Sequence, residues 1–412
     1  MRKKIVSMLL AATMAASMFA GSASADEEKI VLELYNQKTE ADELLREVIV
    51  PKFQEEHPNV EIEVVSPADG HTVFLTRVST NDIPDIMYMY PAEAPYQVIM
   101  ADGVLADITD EEFVSRASAQ AVEYSSYEGR LYAMPYALSS YGIFCNLDMF
   151  DEAGLELPTT WEELIAVMDA FKEQGVEVPL AFDAKSSLSQ FAERMIGIID
   201  NDFADVCEQV GLGNGSFADE DKTQVKIFAD ALLQLAEYAP EDVLGLGRDQ
   251  LTADFCNGVY PLYVGGTFYM ADIMASNPDM NCKLIPIPNP DPDGEECLPI
   301  NVDIAYGYSA TTEHPEECKA FLEFLSRPEI YQIMADNEGT PPCIEGVEYN
   351  VEAMQDISEQ ITGDNTFLTL VNFWPAGWRT EWTIYVQNLL YDGDVDTLIN
   401  ETDRICRDYY GE

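Results

Sequence analysis

The alternation of short apolar strands with amphipathic helices near the N-terminus constrains the fold more than any other feature. Residues 30–35 and 60–64 predict strands, and residues 41–56 between them carry apolar side chains at helical spacing. A second helix around residues 71–80 precedes another apolar run at residues 84–88. Strands connected by helices in this way pair in parallel through right-handed crossovers. The sequence therefore predicts an α/β fold whose ligands bind at the carboxyl ends of the strands.

Local signals further along the chain mark other element boundaries. Thr160 and Glu163 form a capping box at the start of a helix, and Pro51 predicts a kink in the first helix. Proline and aspartate dominate residues 286–299, which is typical of an exposed loop, and another helix begins at Pro315. A chain of 412 residues exceeds what one hydrophobic core comfortably fills, so two lobes are expected.

The N-terminus has the features of a secretory signal peptide. Residues 2–4 are basic, residues 5–20 are mostly apolar, and residues 23–25 read Ala-Ser-Ala, the small residues that a signal peptidase needs. Residues 1–25 are therefore predicted to be removed, and the chain is expected to be secreted across the cytoplasmic membrane to an extracellular, cell-surface or periplasmic location. Ser22 stands where a lipoprotein would carry its lipid-bearing cysteine, so lipid cannot attach there.

The charge composition excludes some classes of partner. The chain has 22 Lys and Arg against 75 Asp and Glu, a formal net charge of −53. A field of this sign repels phosphate backbones, so no nucleic acid partner is expected. It also argues against a phosphorylated or carboxylated ligand, unless a local basic pocket overrides the overall field. The simplest interpretation is that the acidity only keeps a secreted protein soluble.

Cysteine and histidine placement gives no support for a metal site. The eight cysteines include no Cys-x-x-Cys pair and the three histidines are scattered, so neither a metal nor a cofactor is predicted. Export permits disulfides, and Cys282 and Cys297, on either side of the Pro- and Asp-rich loop, are the first pair to test. An equal alternative is that several cysteines are small buried apolar side chains.

Several short motifs follow one another in a fixed order along the chain. They are Asn81–Ile86, Ala101–Thr109, Gly129–Pro135, Cys145–Asp148, Ala153–Leu155 with Pro158–Leu164, and Gly339–Pro342. Each motif is weak alone, but in this order they resemble the family 1 extracellular solute-binding proteins of carbohydrate ABC importers, the group that includes maltodextrin-binding proteins. The family's Gly-x-Trp element, whose indole often stacks on sugar, reads Gly266-Thr267-Phe268 here.

This resemblance implies a two-lobed periplasmic-binding-protein-like fold of type II, with a ligand cleft between lobes joined by about three hinge crossings. The first lobe would hold residues 26–137 and 263–312, and the second lobe residues 138–262 and 313–412. The resemblance further implies a monomeric, non-enzymatic protein that captures a carbohydrate ligand and delivers it to the permease subunits of an ABC transporter in the membrane.

A neutral sugar ligand needs particular side chains around it. Flat aromatic rings suit its C–H faces, and carboxylate, amide and guanidinium groups suit its hydroxyls. Trp374, Trp378 and Arg379 form the strongest local cluster, on a predicted loop, with a core position for both indoles as the alternative. Further candidates follow predicted strands or come from the resemblance: Asn36, Glu40, Tyr88, Tyr90, Asp183, Phe268 and Asp303.

Two other classes of function stay open from the residues alone. A secreted glycoside hydrolase needs two carboxylates about 5–10 Å apart, and 75 acidic residues do not exclude such a pair, although no hydrolase motif is present. A binding protein for a polyamine, a peptide or a metal ion would suit the negative charge, and its binding would weaken with salt.

Overall fold

The computed structural model describes residues 29–411, without the side chains of Glu40 and Glu338. The predicted signal peptide lies outside the described residues. The strands are β1 (Ile30–Tyr35), β2 (Val60–Val65), β3 (Ile86–Tyr88), β4 (Ser126–Tyr127), β5 (Arg130–Leu131), β6 (Met134–Asn146), β7 (Leu180–Phe182), β8 (Leu262–Gly266), β9 (Cys282–Pro286), β10 (Leu298–Tyr308) and β11 (Thr366–Leu368).

Helices connect most of these strands along the chain. The α-helices are α1 (Asp42–Leu44), α2 (Val50–Glu56), α3 (Gly70–Ser79), α4 (Ala94–Ala101), α5 (Ala119–Ser125), α6 (Leu147–Ala153), α7 (Trp161–Glu173), α8 (Leu188–Ile199), α9 (Phe203–Gly211), α10 (Gln224–Ala236), α11 (Arg248–Cys256), α12 (Met270–Ser276), α13 (Pro315–Leu325), α14 (Pro328–Glu338), α15 (Gln355–Ile361), α16 (Trp378–Asp392) and α17 (Val395–Tyr410). Short 3-10 helices span Thr39–Ala41, Glu112–Arg116, Thr267–Tyr269, Glu352–Met354 and Leu370–Asn372. None of the described helices has the length and apolar character that crossing a bilayer requires.

The predicted parallel pairing near the N-terminus is confirmed. β1 pairs in parallel with both β2 and β3, and α2 and α3 provide the crossovers. The alternation in β2 buries Val60, Ile62 and Val64, while Glu63 is exposed. The carboxyl ends of β1 and β3 therefore open at the same edge of the sheet, where the residues that follow them come together.

The first helix is irregular where Pro51 predicted a kink. Residues Leu45–Ile49 form a π-helical turn between α1 and α2, and Pro51 lies in the first turn of α2. Proline has no N–H to donate, and its ring collides with the carbonyl one turn earlier in a regular helix. A widened turn is one way to relieve that collision, and it lets the helix continue through the proline.

Nine strands form one connected sheet in the order β2-β1-β3-β10-β6-β8-β7, with β11 beside β10 and β9 beside β6. The long strand β6 joins its two parts. Residues 134–140 of β6 pair with β10, and residues 141–146 pair with β8 and β9. One uninterrupted strand therefore belongs to both halves of the molecule.

Two hydrophobic cores lie at the two ends of this sheet. The first is built around β1, β2, β3 and α2, and the second around α7, α8, α10, α16 and α17. We call the elements around these cores the first lobe and the second lobe. A third cluster includes Phe74 and Tyr96 from the first lobe together with Phe144 and Tyr263 from the second, so apolar contacts continue across the junction.

The packing differs from the predicted lobe boundaries in two places. Helices α13 and α14 bury Phe321, Phe324 and Tyr331 in the first core, whereas the sequence placed all of residues 313–412 in the second lobe. Strands β8 and β9 pair with the second half of β6, and β8 also with β7, whereas the sequence placed residues 263–312 in the first lobe. Apolar periodicity shows which face of an element is buried, but not which core covers it.

All eight cysteines are free thiols. Cys282 begins β9, whereas the sulfur of Cys297 lies 3.9 and 3.7 Å from the carbonyl oxygens of Gly197 and Ile198, so the disulfide suggested first by the sequence is not formed. Burial raises the pKa of the Cys282 and Cys297 thiols to about 12. The thiols therefore stay neutral and behave as the small apolar side chains of the alternative interpretation.

Candidate ligand-binding site

A cavity of about 400 Å³ lies where the two lobes meet. The first lobe contributes the segments after β1 and β3, part of α3, and residues of β6 and β10. The second lobe contributes α8, the start of α11, the turn after β8 and the start of α16. The lining residues are Gln37, Lys38, Thr39, His71, Tyr88, Tyr90, Glu93, Ser139, Gln190, Arg194, Arg248, Phe268, Asn301, Val302, Asp303, Val371 and Arg379. The carboxyl ends of the parallel strands thus open onto a cavity, as the sequence predicts.

A larger cavity, of about 850 Å³, lies elsewhere, between residues 157–159, the loop after β9 and helix α15. None of the predicted site residues lines it, and it has no aromatic ring in its wall. The interlobe cavity combines rings with convergent polar groups, which is the usual character of a small-molecule site. It is therefore the candidate site.

Aromatic rings reach the interlobe cavity from both lobes. Tyr88 and Tyr90 stand edge to face with their ring centroids 5.1 Å apart. Phe268, from the second lobe, meets Tyr269 edge to face at 5.2 Å. Burial raises the pKa of the Tyr90 hydroxyl, so this side chain stays neutral. Tyr90 and Phe268 are only partly buried and can offer ring faces to the apolar side of a ligand, whereas Tyr88 is 1% exposed and supports Tyr90 from behind.

Asp303 enters the cavity from an irregularity in β10. Val302 pairs with Leu138 and Ile304 with Ala137, which leaves Asp303 between them without a partner on β6. Such irregularities redirect a side chain out of the regular alternation. The Asp303 carboxylate forms a buried ion pair with the Lys38 ammonium group, and its backbone carbonyl accepts a hydrogen bond from the Tyr88 hydroxyl.

A hydrogen-bonded network holds the segment after β1 in place. The Gln37 side chain donates to the Tyr88 carbonyl at 2.8 Å and accepts from the Tyr96 hydroxyl at 2.8 Å. The Tyr96 hydroxyl also lies 3.0 Å from Nδ1 of His71. These bonds fix β1, β3 and α3 relative to one another, so that Lys38 and His71 face the cavity in defined positions.

Two arginines of the second lobe are oriented by neighbouring carboxylates and rings. Arg194 donates to the buried Glu193 carboxylate at 2.8 Å, and its guanidinium carbon lies 5.2 Å from the centroid of the Tyr141 ring. Arg248 donates through Nε to Asp272 at 2.9 Å and lies 4.6 Å from the Tyr269 ring. Held in this way, guanidinium groups present fixed donors to hydroxyl oxygens.

Five of the predicted site residues come together at the cavity: Tyr88, Tyr90, Phe268, Asp303 and Arg379. Glu40 lies in a 3-10 helix beside Thr39, and its side chain is outside the described part of the structure. Asn36 and Asp183 do not line the cavity.

Asn36 and Asp183, both predicted as ligand-binding, use their polar groups in hydrogen bonds inside the protein. The Asn36 side chain donates to the Lys38 carbonyl at 2.7 Å and accepts from the Tyr306 hydroxyl at 3.2 Å. The Asp183 carboxylate accepts from the backbone N–H of Ser186 at 2.8 Å and from nearby hydroxyls. Both residues shape turns that position other site residues.

The structure places the two tryptophans in the second core, the alternative position that the sequence offered, and not at the cavity wall. Trp374 and Trp378 are 2% and 0% exposed, and their rings stack at 4.1 Å between centroids in the second core. Neither lines the cavity. Trp378 begins α16 with its ring turned inward, whereas the adjacent Arg379 points into the cavity, because successive helix residues face different directions.

Sequence reasoning missed several lining residues. The parallel-strand argument marked Gln37 and residues 89–91 as near the site, so extending these segments by one or two positions would have found Lys38 and Glu93. Gln190 and Arg194 carried no signal, because polar residues at helical spacing on α8 look like an ordinary solvated face.

Two α/β lobes that share one sheet and enclose a polar, aromatic-lined cavity define a two-lobed solute-binding protein. The chain belongs to the family of bacterial extracellular solute-binding proteins, which it matches over residues 35–332. It is therefore a binding protein of an extracellular family and not an enzyme. The fold is that of the type II periplasmic sugar-binding proteins.

Proteins that are similar in sequence or in structure match most of the chain. The multiple sugar-binding protein of Streptococcus mutans is 23% identical over 358 residues, 84% of this chain and 83% of that protein. The melibiose/raffinose/stachyose-binding protein of Bacillus subtilis is 23% identical over 365 residues, with 85% and 84% covered. The solved structure of RafE with raffinose superimposes with a TM-score of 0.82 at 24% identity, over 92% of this chain and 100% of that one.

Proposed function

We propose that the chain captures a neutral sugar or oligosaccharide in the interlobe cavity and delivers it to the permease of an ABC importer. A ligand that touches both lobes stabilises their closed arrangement through that differential contact, and the permease senses the closed form. The names of the relatives that bind multiple sugars, melibiose, raffinose and stachyose support this proposal.

One observation supports this proposal most strongly: aromatic rings, hydrogen-bond donors and hydrogen-bond acceptors converge on the same cavity. Tyr90 and Phe268, which are only partly buried, suit the C–H faces of a pyranose ring. Arg194 and Arg248 donate to hydroxyl oxygens, and Asp303 accepts from hydroxyls. A volume of about 400 Å³ lies toward the small end of the ligand-site range of about 300–1,000 Å³, which favours a short saccharide.

A cationic ligand fits the cavity less well than the overall charge suggests. Lys38, Arg194, Arg248 and Arg379 line the cavity, against the carboxylates of Glu93 and Asp303. The negative charges are therefore concentrated outside the site. We propose that the −53 net charge serves solubility rather than ligand capture.

We infer that the chain works as a monomer after removal of residues 1–25, outside the cytoplasmic membrane. The extracellular character of the family and the composition of residues 1–25 support export.

Thermal unfolding of residues 26–412 with melibiose, raffinose and stachyose tests the proposal. A ligand that binds only the folded state adds about 2.7 kcal/mol at 100 times its dissociation constant, and the midpoint rises. We expect Phe268→Ala to weaken this shift, because it removes a ring from the cavity wall.

The matched control is Phe373→Ala, a second-lobe ring that is 57% exposed and outside the cavity. It should leave the sugar-induced shift unchanged. A shift with spermidine or a metal ion, and none with any sugar, would contradict the proposal.

A further inference from the structure

Two charged side chains in the cavity differ from the others in having no partner. Lys38, Arg194 and Arg248 form ion pairs with Asp303, Glu193 and Asp272. Among the described residues, no hydrogen bond or ion pair reaches the carboxylate of Glu93 or the guanidinium group of Arg379. Glu93 belongs to the first lobe and Arg379 to the second, so each lobe presents one unsatisfied charge to the same space.

Neither side chain makes a hydrogen bond to the helix that it adjoins. Glu93 directly precedes α4, yet its side chain does not cap that helix. Arg379 is the second residue of α16, where a positive charge opposes the helix dipole. Burial raises the pKa of the Glu93 carboxyl, and the nearby charges of Arg379 and His71 act against that rise. The two opposite charges therefore face the same cavity without direct contact, and among the described residues each keeps hydrogen-bonding capacity for a bound molecule.

A third unsatisfied group lies beside them. The side-chain oxygen of Gln190, on α8, is buried and has no hydrogen-bond partner among the described residues, and Gln190 lines the same cavity. The cavity thus offers two unused acceptors, at Glu93 and Gln190, and one unused donor fork, at Arg379. Hydroxyl groups complement this set, because each can donate to a carboxylate or amide oxygen while accepting from a guanidinium group.

A ligand with its own charge would be opposed by one of the two side chains. A carboxylated sugar would satisfy Arg379 but would bring a second negative charge close to Glu93 in a poorly solvated space. An amino sugar would satisfy Glu93 but would meet Arg379. We propose, on the basis of the proposed sugar-binding function, that Glu93 and Arg379 form a charge filter: Glu93 rejects carboxylated sugars, and Arg379 rejects amino sugars.

Calorimetric titration of three proteins tests the filter: residues 26–412 with the natural sequence, Glu93→Gln and Arg379→Gln. The probes are melibiose and raffinose, the carboxylates made by oxidising each primary hydroxyl in turn, and the matching amines. With the natural sequence we expect both charged series to bind at least about tenfold more weakly than the parent sugar. Glu93→Gln should bind the carboxylates at least about tenfold more tightly than the natural protein does. Arg379→Gln should instead bind the amines at least about tenfold more tightly than the natural protein does.

The control for Glu93→Gln is Glu152→Gln, on the exposed surface of α6, and the control for Arg379→Gln is Lys226→Gln, on the exposed surface of α10. Each makes the same change of net charge as its partner variant and should not alter the selectivity. Equal affinity of the natural protein for the parent sugars and their carboxylates would overturn the filter while leaving the proposed function standing. So would a selectivity unchanged in both cavity variants. Absence of binding by every probe to every protein would overturn the proposed function itself, and the filter with it.

Discussion

At the scale of single residues, the second core depends on one stack of indoles. Trp374 lies 4.1 Å from Trp378, and Trp378 lies 5.6 Å from Trp382, between ring centroids. Trp382 donates its indole N–H to the Thr402 hydroxyl at 3.0 Å. Trp378 stands in the middle of the stack and is fully buried. The stack joins the start of α16 to α17 and to the segment that holds Val371 at the cavity wall.

We expect Trp378→Ala to lower the free energy of unfolding by about 3–5 kcal/mol, because it removes a large buried ring and leaves a cavity in a close-packed core. Chemical denaturation followed by circular dichroism measures this loss. The exposed Phe373 provides the control, since its replacement by alanine should change stability by no more than about 0.5 kcal/mol. A Trp378→Ala protein of natural stability that no longer binds sugar would show that the indole faces the ligand after all.

The residue types of the candidate site were predictable from the sequence, but not all of their positions. Tyr88, Tyr90 and Asp303 were found because they lie at or near strand ends or follow the resemblance. The pairing of Lys38 with Asp303 was not, since 265 positions separate them and only the folded sheet brings them together. The sequence could not decide between a cleft and a core position for the tryptophans, because an indole suits a sugar face and a core equally well.

At the scale of secondary-structure elements, the start of α7 shows how local chemistry defines a helix. The Thr160 hydroxyl accepts from the Glu163 backbone N–H at 3.2 Å, as the capping box predicts. The reciprocal bond is shifted by one residue, because the Glu163 carboxylate accepts from the backbone N–H and the hydroxyl of Thr159, each at 2.8 Å. These bonds hold the Glu163 carboxyl pKa below its ordinary value.

Thr160→Ala should cost about 1 kcal/mol of unfolding free energy, since it leaves the N–H of Glu163 without its cap. Thr159→Ala is the matched control. It removes only one exposed hydroxyl bond and keeps the Thr160 cap, so its cost should be clearly smaller. Equal losses in denaturation experiments on the two variants would mean that the Thr159 bonds, rather than the cap, fix the start of α7.

Elements of this kind were predictable because their signals are local. The bounds of β1, the parallel pairing of β1 with β2 and β3, and the cap at Thr160 all follow from neighbouring residues. The assignment of α13 and α14 to a lobe does not follow from neighbouring residues, because the apolar face of a helix can be covered equally well by either core. Only the long-range packing of Phe321 and Phe324 against the first core decides it.

At the scale of the whole molecule, the dominant property is electrostatic repulsion between acidic side chains. The 75 acidic residues outnumber the 22 basic ones, and the described arginines and lysines are largely engaged in ion pairs. Charge of one sign spread over a compact surface destabilises the folded state. The cavity is the exception, because cationic side chains gather there. The molecule thus keeps its negative charge on the outside and a balanced charge around the ligand.

The unfolding midpoint of residues 26–412 should therefore rise with NaCl concentration. At about 0.01 M salt, exposed charges interact over about 30 Å, and at about 1 M over only about 3 Å, so added salt relieves the repulsion. Differential scanning calorimetry measures the midpoint, with a neutral osmolyte at matched osmolality as the control. A midpoint that falls with salt would show that attractive ion pairs outweigh the net charge.

The place of β10 in the sheet also governs the order of assembly. It lies between β3 and β6, yet it is the last of these strands to be synthesised. At about 5–20 residues per second, the interval from residue 88 to residue 308 takes on the order of 10–40 s. Strand β3 must wait that long for β10, its neighbour in the sheet. Pairings so distant in sequence also form slowly. The sheet of the first lobe therefore cannot be completed until β10 has been synthesised, and we expect a newly made chain to reach its compact form late.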